Sequence, residues 1–283
     1  MTIQAEETRT IAVGPHHLSV TRRGSGPSIV LLHGIPTSAY LWREVVPPLV
    51  SAGFETITID LLGYGRSDKP EAADLGLAAQ AERVAGVLAR LDWPGGTLIG
   101  HDIGGGVAQL IALHHPDLVT ALVLVDSVLY DSFPEPGIAR LKDPAWDAIL
   151  GAPDFDLKKG FAKGLRRGVV QADRVTPALI DAYERPFAGI EGRRAYLRAA
   201  RALRTEELAS RMDEIERLDV PTLIVWGEDD VFQPLHFGQR LARAMPRARL
   251  AILDQAGHFL PEDAPGRLVR RILDFLQGGS VAA

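Results

Sequence analysis

The 283-residue chain contains no cysteine. That absence removes disulfide frameworks, thiolate metal sites and a catalytic thiol, and it leaves the redox compartment open. There is no basic excess either. Lys and Arg number 31 against 36 Asp and Glu, a net charge of −5 at neutral pH, which disfavours general binding of nucleic acid, since phosphates call for a basic surface. No run reaches the roughly 18 uninterrupted apolar residues of a membrane span. Met1–Gly14 has no apolar segment behind a basic one, so no secretory leader is expected. Internal repeats are lacking, and the only low-complexity stretch is the tail Gly278–Ala283, which reads as frayed. What remains is 46% hydrophobic and 24% charged residues, an ordinary globular composition with material for a sizeable core. The expectation is a soluble cytoplasmic protein whose partners are a small molecule and water, not nucleic acid or a membrane.

Short apolar runs bounded by Gly, Pro or Asp recur along the chain: Ser28–Leu32, Thr56–Ile59, Thr97–Ile99, Ala121–Val125, Thr222–Val225 and Leu250–Leu253. Their apolar positions are consecutive, the pattern of strands buried on both faces of a parallel sheet. Helical stretches lie between them at Ala78–Leu91, Gly105–His114 and Phe237–Met245. This alternation predicts the α/β class, a mostly parallel central sheet flanked by helices. From Asp131 to Glu216 the alternation stops. Helical periodicity continues over Ala178–Tyr183, Arg193–Leu203 and Glu206–Ile215 without a convincing strand, and fifteen basic residues balance fifteen acidic ones. Residues 131–216 are therefore expected to form a helical cap, or a long helical crossover, between core segments 1–130 and 217–283.

The most informative stretch is Thr97-Leu98-Ile99-Gly100-His101-Asp102-Ile103-Gly104-Gly105-Gly106. It reads as strand, sharp turn and helix, with Gly on both sides of one acidic residue. That is the geometry of a nucleophile elbow, with Asp where Ser is usual; Asp102 as a simple helix N-cap is the competing reading. Upstream, strand 28–32 runs into His33-Gly34-Ile35-Pro36, a loop able to offer the Ile35 amide. Downstream, Gly227-Glu228-Asp229-Asp230 follows one strand and Gly257-His258 follows the last. Nucleophile, acid and histidine thus occur in one chain order.

On these motifs the sequence resembles the α/β-hydrolase superfamily over nearly its whole length. The resemblance is closest to the aspartate-nucleophile branch of haloalkane dehalogenases, fluoroacetate dehalogenases and epoxide hydrolases. His33–Pro36 followed by Thr37–Arg43 is similar to the haloalkane dehalogenase loop, Asp60–Pro70 to a stretch shared across the superfamily, and Tyr183-Glu184-Arg185-Pro186-Phe187 to dehalogenase caps. The resemblance implies Asp102 as nucleophile, His258 as general base, and the amides of Ile35 and Ile103 as an oxyanion hole. For the acid that orients His258 there are two main candidates, with Asp229 a third. Asp230 stands three residues after Gly227, and Asp126 lies 24 residues after Asp102, a spacing similar to that in fluoroacetate dehalogenases; Asp230 is preferred. The competing reading of Asp126 is a solvated or loop-capping carboxylate.

A carboxylate with an unperturbed pKa of about 4 is already ionised at neutral pH. It suits displacement at a saturated carbon, giving an alkyl ester that a His-activated water then hydrolyses. Neither a cofactor nor a metal is called for. The leaving-group donors of the related families are incomplete here, because Ile103 and Ile35 stand where haloalkane dehalogenases carry halide-binding side chains. The candidates are Trp146 for a halide, and Tyr130, Tyr183 and Tyr196 for an epoxide oxygen. The reading is cleavage of a carbon–halogen bond in a small, largely apolar substrate. Epoxide hydrolysis is the alternative, and a catalytically degenerate ligand binder on the same fold is the reading from another class. His33 and His101 are expected to shape the site, Trp42, Trp93 and Trp226 to be structural, and Lys158, Lys159, Lys163, Arg166 and Arg167 to form a solvated helix face.

Overall fold

A computed structural model of the protein describes residues 6–278; the tail from Gly279 onward lies outside them. Eight strands build one sheet: β1 (Glu7–Val13), β2 (His16–Arg23), β3 (Ser28–Leu32), β4 (Glu55–Ile59), β5 (Gly96–His101), β6 (Val119–Val125), β7 (Thr222–Gly227) and β8 (Ala248–Leu253). Their spatial order is β1-β2-β4-β3-β5-β6-β7-β8. The pairs β1–β2 and β2–β4 are antiparallel and all others parallel. All six strands expected from the apolar runs are present. The β1–β2 hairpin is additional, and its second strand alternates polar and apolar residues, with Leu18 and Val20 buried. A two-residue turn at Gly14-Pro15 closes it, with Gly14 at φ +57°. The last strand departs from its expected both-face burial. β8 sits at the sheet edge and alternates between buried and exposed positions, because only one of its faces is covered.

Around the sheet lie α1 (Val46–Ser51), α2 (Leu77–Arg90) and α3 (Ile103–His114), and after β7 come α11 (Leu235–Ala244), α12 (Leu260–Asp263) and α13 (Pro265–Leu276). Between β6 and β7 the described chain is helical: α4 (Pro136–Ala139), α5 (Ala145–Gly151), α6 (Leu157–Gly168), α7 (Pro177–Glu184), α8 (Gly189–Arg201), α9 (Glu206–Ala209) and α10 (Met212–Ile215). The stretch expected as one helix over 206–215 is two short ones, α9 and α10. Asp156 and Thr176 cap α6 and α7 by accepting from the amides of Lys159 and Leu179. One apolar cluster runs from the sheet into this insertion, through Leu98, Val123 and Ile224 to Phe161, Phe187 and Leu197. Among the described residues no helix is long and apolar enough to cross a membrane.

Candidate active site

The parallel strands β5, β6, β7 and β8 bring their C-terminal ends to one side of the sheet, and the loops that follow them carry the titratable groups. Asp102 stands between β5 and α3 at φ 52°, ψ −121°, a region few non-glycine residues occupy and one found mostly at functional sites. The flanking glycines are sterically required. A Cβ on Gly100 would lie 2.3 Å from the Gly104 carbonyl oxygen, and one on Gly104 would lie 2.4 Å from that of Leu32. The Asp102 side chain does not cap α3. Its Oδ1 accepts from the Ile35 amide at 2.9 Å, and the Ile103 amide also donates to the carboxylate. Both amides expected of an oxyanion hole therefore meet at Asp102.

His258 faces Asp102, with Nε2 3.8 Å from Oδ2. Its Nδ1 lies 2.9 Å from Asp230 Oδ2. Asp230 Oδ1 accepts from the amides of Phe232 and Gln233 at 2.7 and 2.8 Å, so the acid is held by its own loop. Trp226 pins that loop through Nε1, which donates to the Gln233 carbonyl at 2.7 Å. Asp126 takes a different role. It is fully buried, and its Oδ1 accepts from the Gly227 amide at 2.8 Å, tying the end of β6 to the end of β7. Its Oδ2 has no hydrogen-bond partner. The two carboxylates that the sequence left in competition are thus separated: Asp230 is hydrogen-bonded to the histidine, and Asp126 ties a loop, though it is buried and not solvated.

The electrostatics follow from burial in each case. Burial pushes Asp102 above the ordinary carboxyl range, against the His258 charge and the two amides. Burial pulls His258 down, but the Asp230 charge and hydrogen bond, helped by Asp102, outweigh it and leave the imidazole above its ordinary value. Burial and the neighbouring Asp230 charge hold Asp126 well above the ordinary carboxylate range. His101 is driven well below the ordinary value by burial, and its Nε2 lies 2.9 Å from the His258 carbonyl. His33 is also lowered by burial; its Nδ1 faces the Gly34 carbonyl at 2.9 Å, while its Nε2 accepts from the Leu61 amide at 3.0 Å. Both are neutral imidazoles that position backbone, as expected.

Over Asp102 lies a cavity of about 320 Å³, walled by Ile35, Ile103, Val128 and Phe259 below and by the insertion above. Tyr183, Tyr196 and Trp146 all line it; Tyr130 does not. The Tyr130 hydroxyl donates to Glu216 at 2.7 Å and its ring lies beneath the Arg240 guanidinium, which removes it as a leaving-group donor. Tyr183 is removed for another reason. Its hydroxyl donates to Glu262, which in turn takes two hydrogen bonds from Arg43 at 2.5 and 2.6 Å. Tyr196 makes no hydrogen bond through its hydroxyl among the described residues, and burial together with the charge of Glu135 raises its pKa, so the proton stays on. The basic stretch of α6 is split by helical spacing: Lys163 and Arg167, four residues apart, line the cavity, whereas Lys158, Lys159 and Arg166 are exposed outside it.

Two residues of the site went unrecognised in the sequence. Glu135, at the head of α4, lines the cavity 3.8 Å from Arg167; a lone Glu beside prolines carries no motif. Asp263 holds the histidine loop to the insertion, accepting from the amides of Val170, Gln171 and Gly257 at 2.7–2.8 Å. Its spacing from His258, five residues on, was the available signal.

The α/β-hydrolase fold family model matches residues 27–265. A 2-hydroxy-6-oxononadienedioate/2-hydroxy-6-oxononatrienedioate hydrolase of Cupriavidus pinatubonensis is 29% identical, over 92% of this chain and 90% of its own. A haloalkane dehalogenase of Mycobacterium marinum is 30% identical, over 88% of this chain and 84% of its own. Among solved structures, the epoxide hydrolase CorEH superposes with a TM-score of 0.82 at 25% identity, covering 97% of this chain and 99% of that one.

Proposed function

The chain belongs to the α/β-hydrolase fold family, and within it we propose a hydrolase that works through a covalent ester on Asp102, displacing a leaving group from a saturated carbon. The observation that carries this reading is the pairing of a carboxylate at the elbow with a histidine 3.8 Å away that is itself anchored to Asp230. Asp102 Oδ1 is occupied by the Ile35 amide, so Oδ2 is the attacking atom. Its lone pair forms the new C–O bond as the carbon–leaving-group bond breaks. A water held at His258 Nε2 then adds to the ester carbonyl carbon and gives its proton to the imidazole, and the resulting oxyanion at Oδ1 rests on the Ile35 and Ile103 amides. Collapse breaks the acyl C–O bond, the imidazolium returns its proton to the departing alkoxide to free the alcohol, and the Asp102 carboxyl releases its remaining proton to solvent, restoring the carboxylate.

The raised pKa of His258 fits this sequence. In the resting site the Asp102 charge favours imidazolium. Esterification removes that charge, so the histidine becomes a free base at the step that needs one.

For the leaving group, the cavity favours an epoxide oxygen. Tyr196 offers a buried, protonated hydroxyl that has no other partner among the described residues, and an alkoxide needs such a donor. A carbon–halogen bond is the second reading, supported by Trp146 in the same cavity and by the haloalkane dehalogenase relative. A cap role for residues 131–216 goes with either reading. The test is to replace His258 by Gln, offer matched haloalkanes and epoxides, and measure intact mass. The reading expects a stable adduct localised to Asp102, a hydroxyalkyl ester from the epoxide or an alkyl ester from the haloalkane. No adduct from either class, together with undiminished turnover by Asp102→Ala, overturns it.

A further inference from the structure

A second cavity, of about 490 Å³, lies away from Asp102 on the β2–β4 side of the sheet. Its floor is polar. In the antiparallel register of β2 and β4, Thr21 stands opposite Thr58 and Arg23 opposite Thr56, while the Asp60 amide bonds to the Ser19 carbonyl one step further. Side chains alternate along a strand, so Ser19, Thr21 and Arg23 share a face with Thr56, Thr58 and Asp60. That face carries hydroxyls and charge, whereas the opposite face carries Val20, Ile57 and Ile59. A sheet face packed on a helix would be apolar; this one looks onto open volume.

The walls add cations. Arg23, Arg43, Arg66 and Arg185 line the cavity against the carboxylates of Glu6 and Asp60. Arg43 is satisfied by Glu262 and Arg23 approaches Glu6 at 3.7 Å. Asp60 accepts from the amides of Ala39 and Arg66 at 2.7 and 2.8 Å. Among the described residues Arg66 and Arg185 enter no ion pair, so the cavity holds surplus positive charge. Two buried donors of its lining, Arg23 Nε and Trp42 Nε1, have no acceptor. A buried N–H without an acceptor is destabilising, and such groups call for an explanation.

We propose that this cavity is a binding site for a small hydroxylated organic anion, its phosphate or carboxylate head between Arg66 and Arg185 and its hydroxyls on the Thr56 and Thr58 face. The guanidinium fork suits either oxyanion. Threonine hydroxyls that already donate to the backbone, Thr56 to the Arg23 carbonyl at 3.2 Å and Thr58 to that of Thr21 at 3.5 Å, keep lone pairs for a ligand O–H. The volume falls within the range usual for small-molecule sites. Nothing in this assignment depends on the chemistry at Asp102.

The test uses the full chain at low ionic strength, with glycerol 3-phosphate and glycerate as probes in titration calorimetry. The two share a polyol skeleton and differ in the head, so their relative affinities identify which anion is preferred. Saturable one-to-one binding is expected for at least one of them. The dissociation constant should rise tenfold or more in the Arg66→Ala/Arg185→Ala variant and several-fold in Thr58→Val, which keeps the shape and removes the hydroxyl. It should be unchanged in Arg167→Ala and Asp102→Asn, which alter the other cavity. No saturable binding of either probe up to about 10 mM, weaker than any useful affinity, overturns the assignment. Binding that survives the double arginine variant, or that is lost in Arg167→Ala, overturns it as well.

Discussion

The floor and the roof of the Asp102 cavity are built on different principles. Below, Asp102, Asp230 and His258 are held by backbone: Asp102 by the amides of Ile35 and Ile103, Asp230 by those of Phe232 and Gln233, and His258 by the loop that His101 and Asp263 tie down. Above, the groups that line the cavity are side chains of the insertion. Lys163, Arg167 and Arg140 reach in from exposed positions, and the Tyr196 ring packs edge-on against Phe161 and Phe187. Backbone donors cannot be mutated away one at a time, and side chains can. On the proposed mechanism, bond chemistry would reside in the floor, and the choice of leaving group and substrate in the insertion.

Substitutions should separate the two levels, and the largest effect belongs to the floor. Asp102→Ala should abolish turnover by about 10⁵-fold or more, for every substrate alike, because the covalent step has no substitute; steady-state assays with two substrate classes check this, and loss confined to one class would break the division. Asp230→Asn should lower kcat by about 10²–10⁴-fold. It should also move the pH profile. The imidazole must be neutral to accept a proton, so in the unaltered protein kcat rises with pH through the pKa of His258 in the ester, where the Asp230 charge still raises it. Removing the Asp230 charge shifts that limb to lower pH. Asp126→Asn should leave kcat within about threefold, since Asp126 faces the Gly227 amide and not the histidine, and burial favours its uncharged form; the reverse order of the two variants would reassign the acid.

The roof should give smaller and selective effects. Tyr196→Phe is expected to reduce kcat/KM for epoxides by about 10–100-fold while sparing haloalkanes of the same skeleton, and Trp146→Phe to do the opposite more weakly. Equal losses for both substrates would make Tyr196 a packing residue. Arg167→Ala should change KM by less than about tenfold and leave kcat unaltered, because its guanidinium is half exposed and screened.

Much of the floor was legible before the structure. The runs of β3, β5, β6 and β7 are apolar at consecutive positions, and Gly100, Gly104, Gly227 and Gly257 mark where the chain must turn sharply beside a reactive group. Asp102, His258 and both oxyanion amides follow from that punctuation. The choice between Asp230 and Asp126 did not, because both follow buried strands; their roles differ only in where each side chain turns, one to an imidazole and one to an amide. The β1–β2 hairpin escaped because His16–Arg23 has an edge-like alternation that is weak in a short window. The roof was the least legible. Tyr130, Tyr183 and Tyr196 are equivalent as letters, and only packing shows that Glu216 occupies the first, Glu262 the second and neither the third. Helical register, in contrast, does split the basic stretch of α6 once its boundaries are known.

The carboxylate of Asp263 reaches the insertion at Val170 and Gln171 and the histidine loop at Gly257, and the Phe259 amide bonds to the Gly168 carbonyl at 3.2 Å across the same seam. A hinge there would have to break several buried hydrogen bonds together, so the seam opens rarely and the C-terminal end of α6 travels with the base. Any breathing that admits substrate is left to the opposite margin, where α4 and α5 carry many exposed residues. Amide exchange should therefore divide the insertion in two, slow along the end of α6 and fast over residues 136–151, with the traffic of substrate and product confined to the fast half.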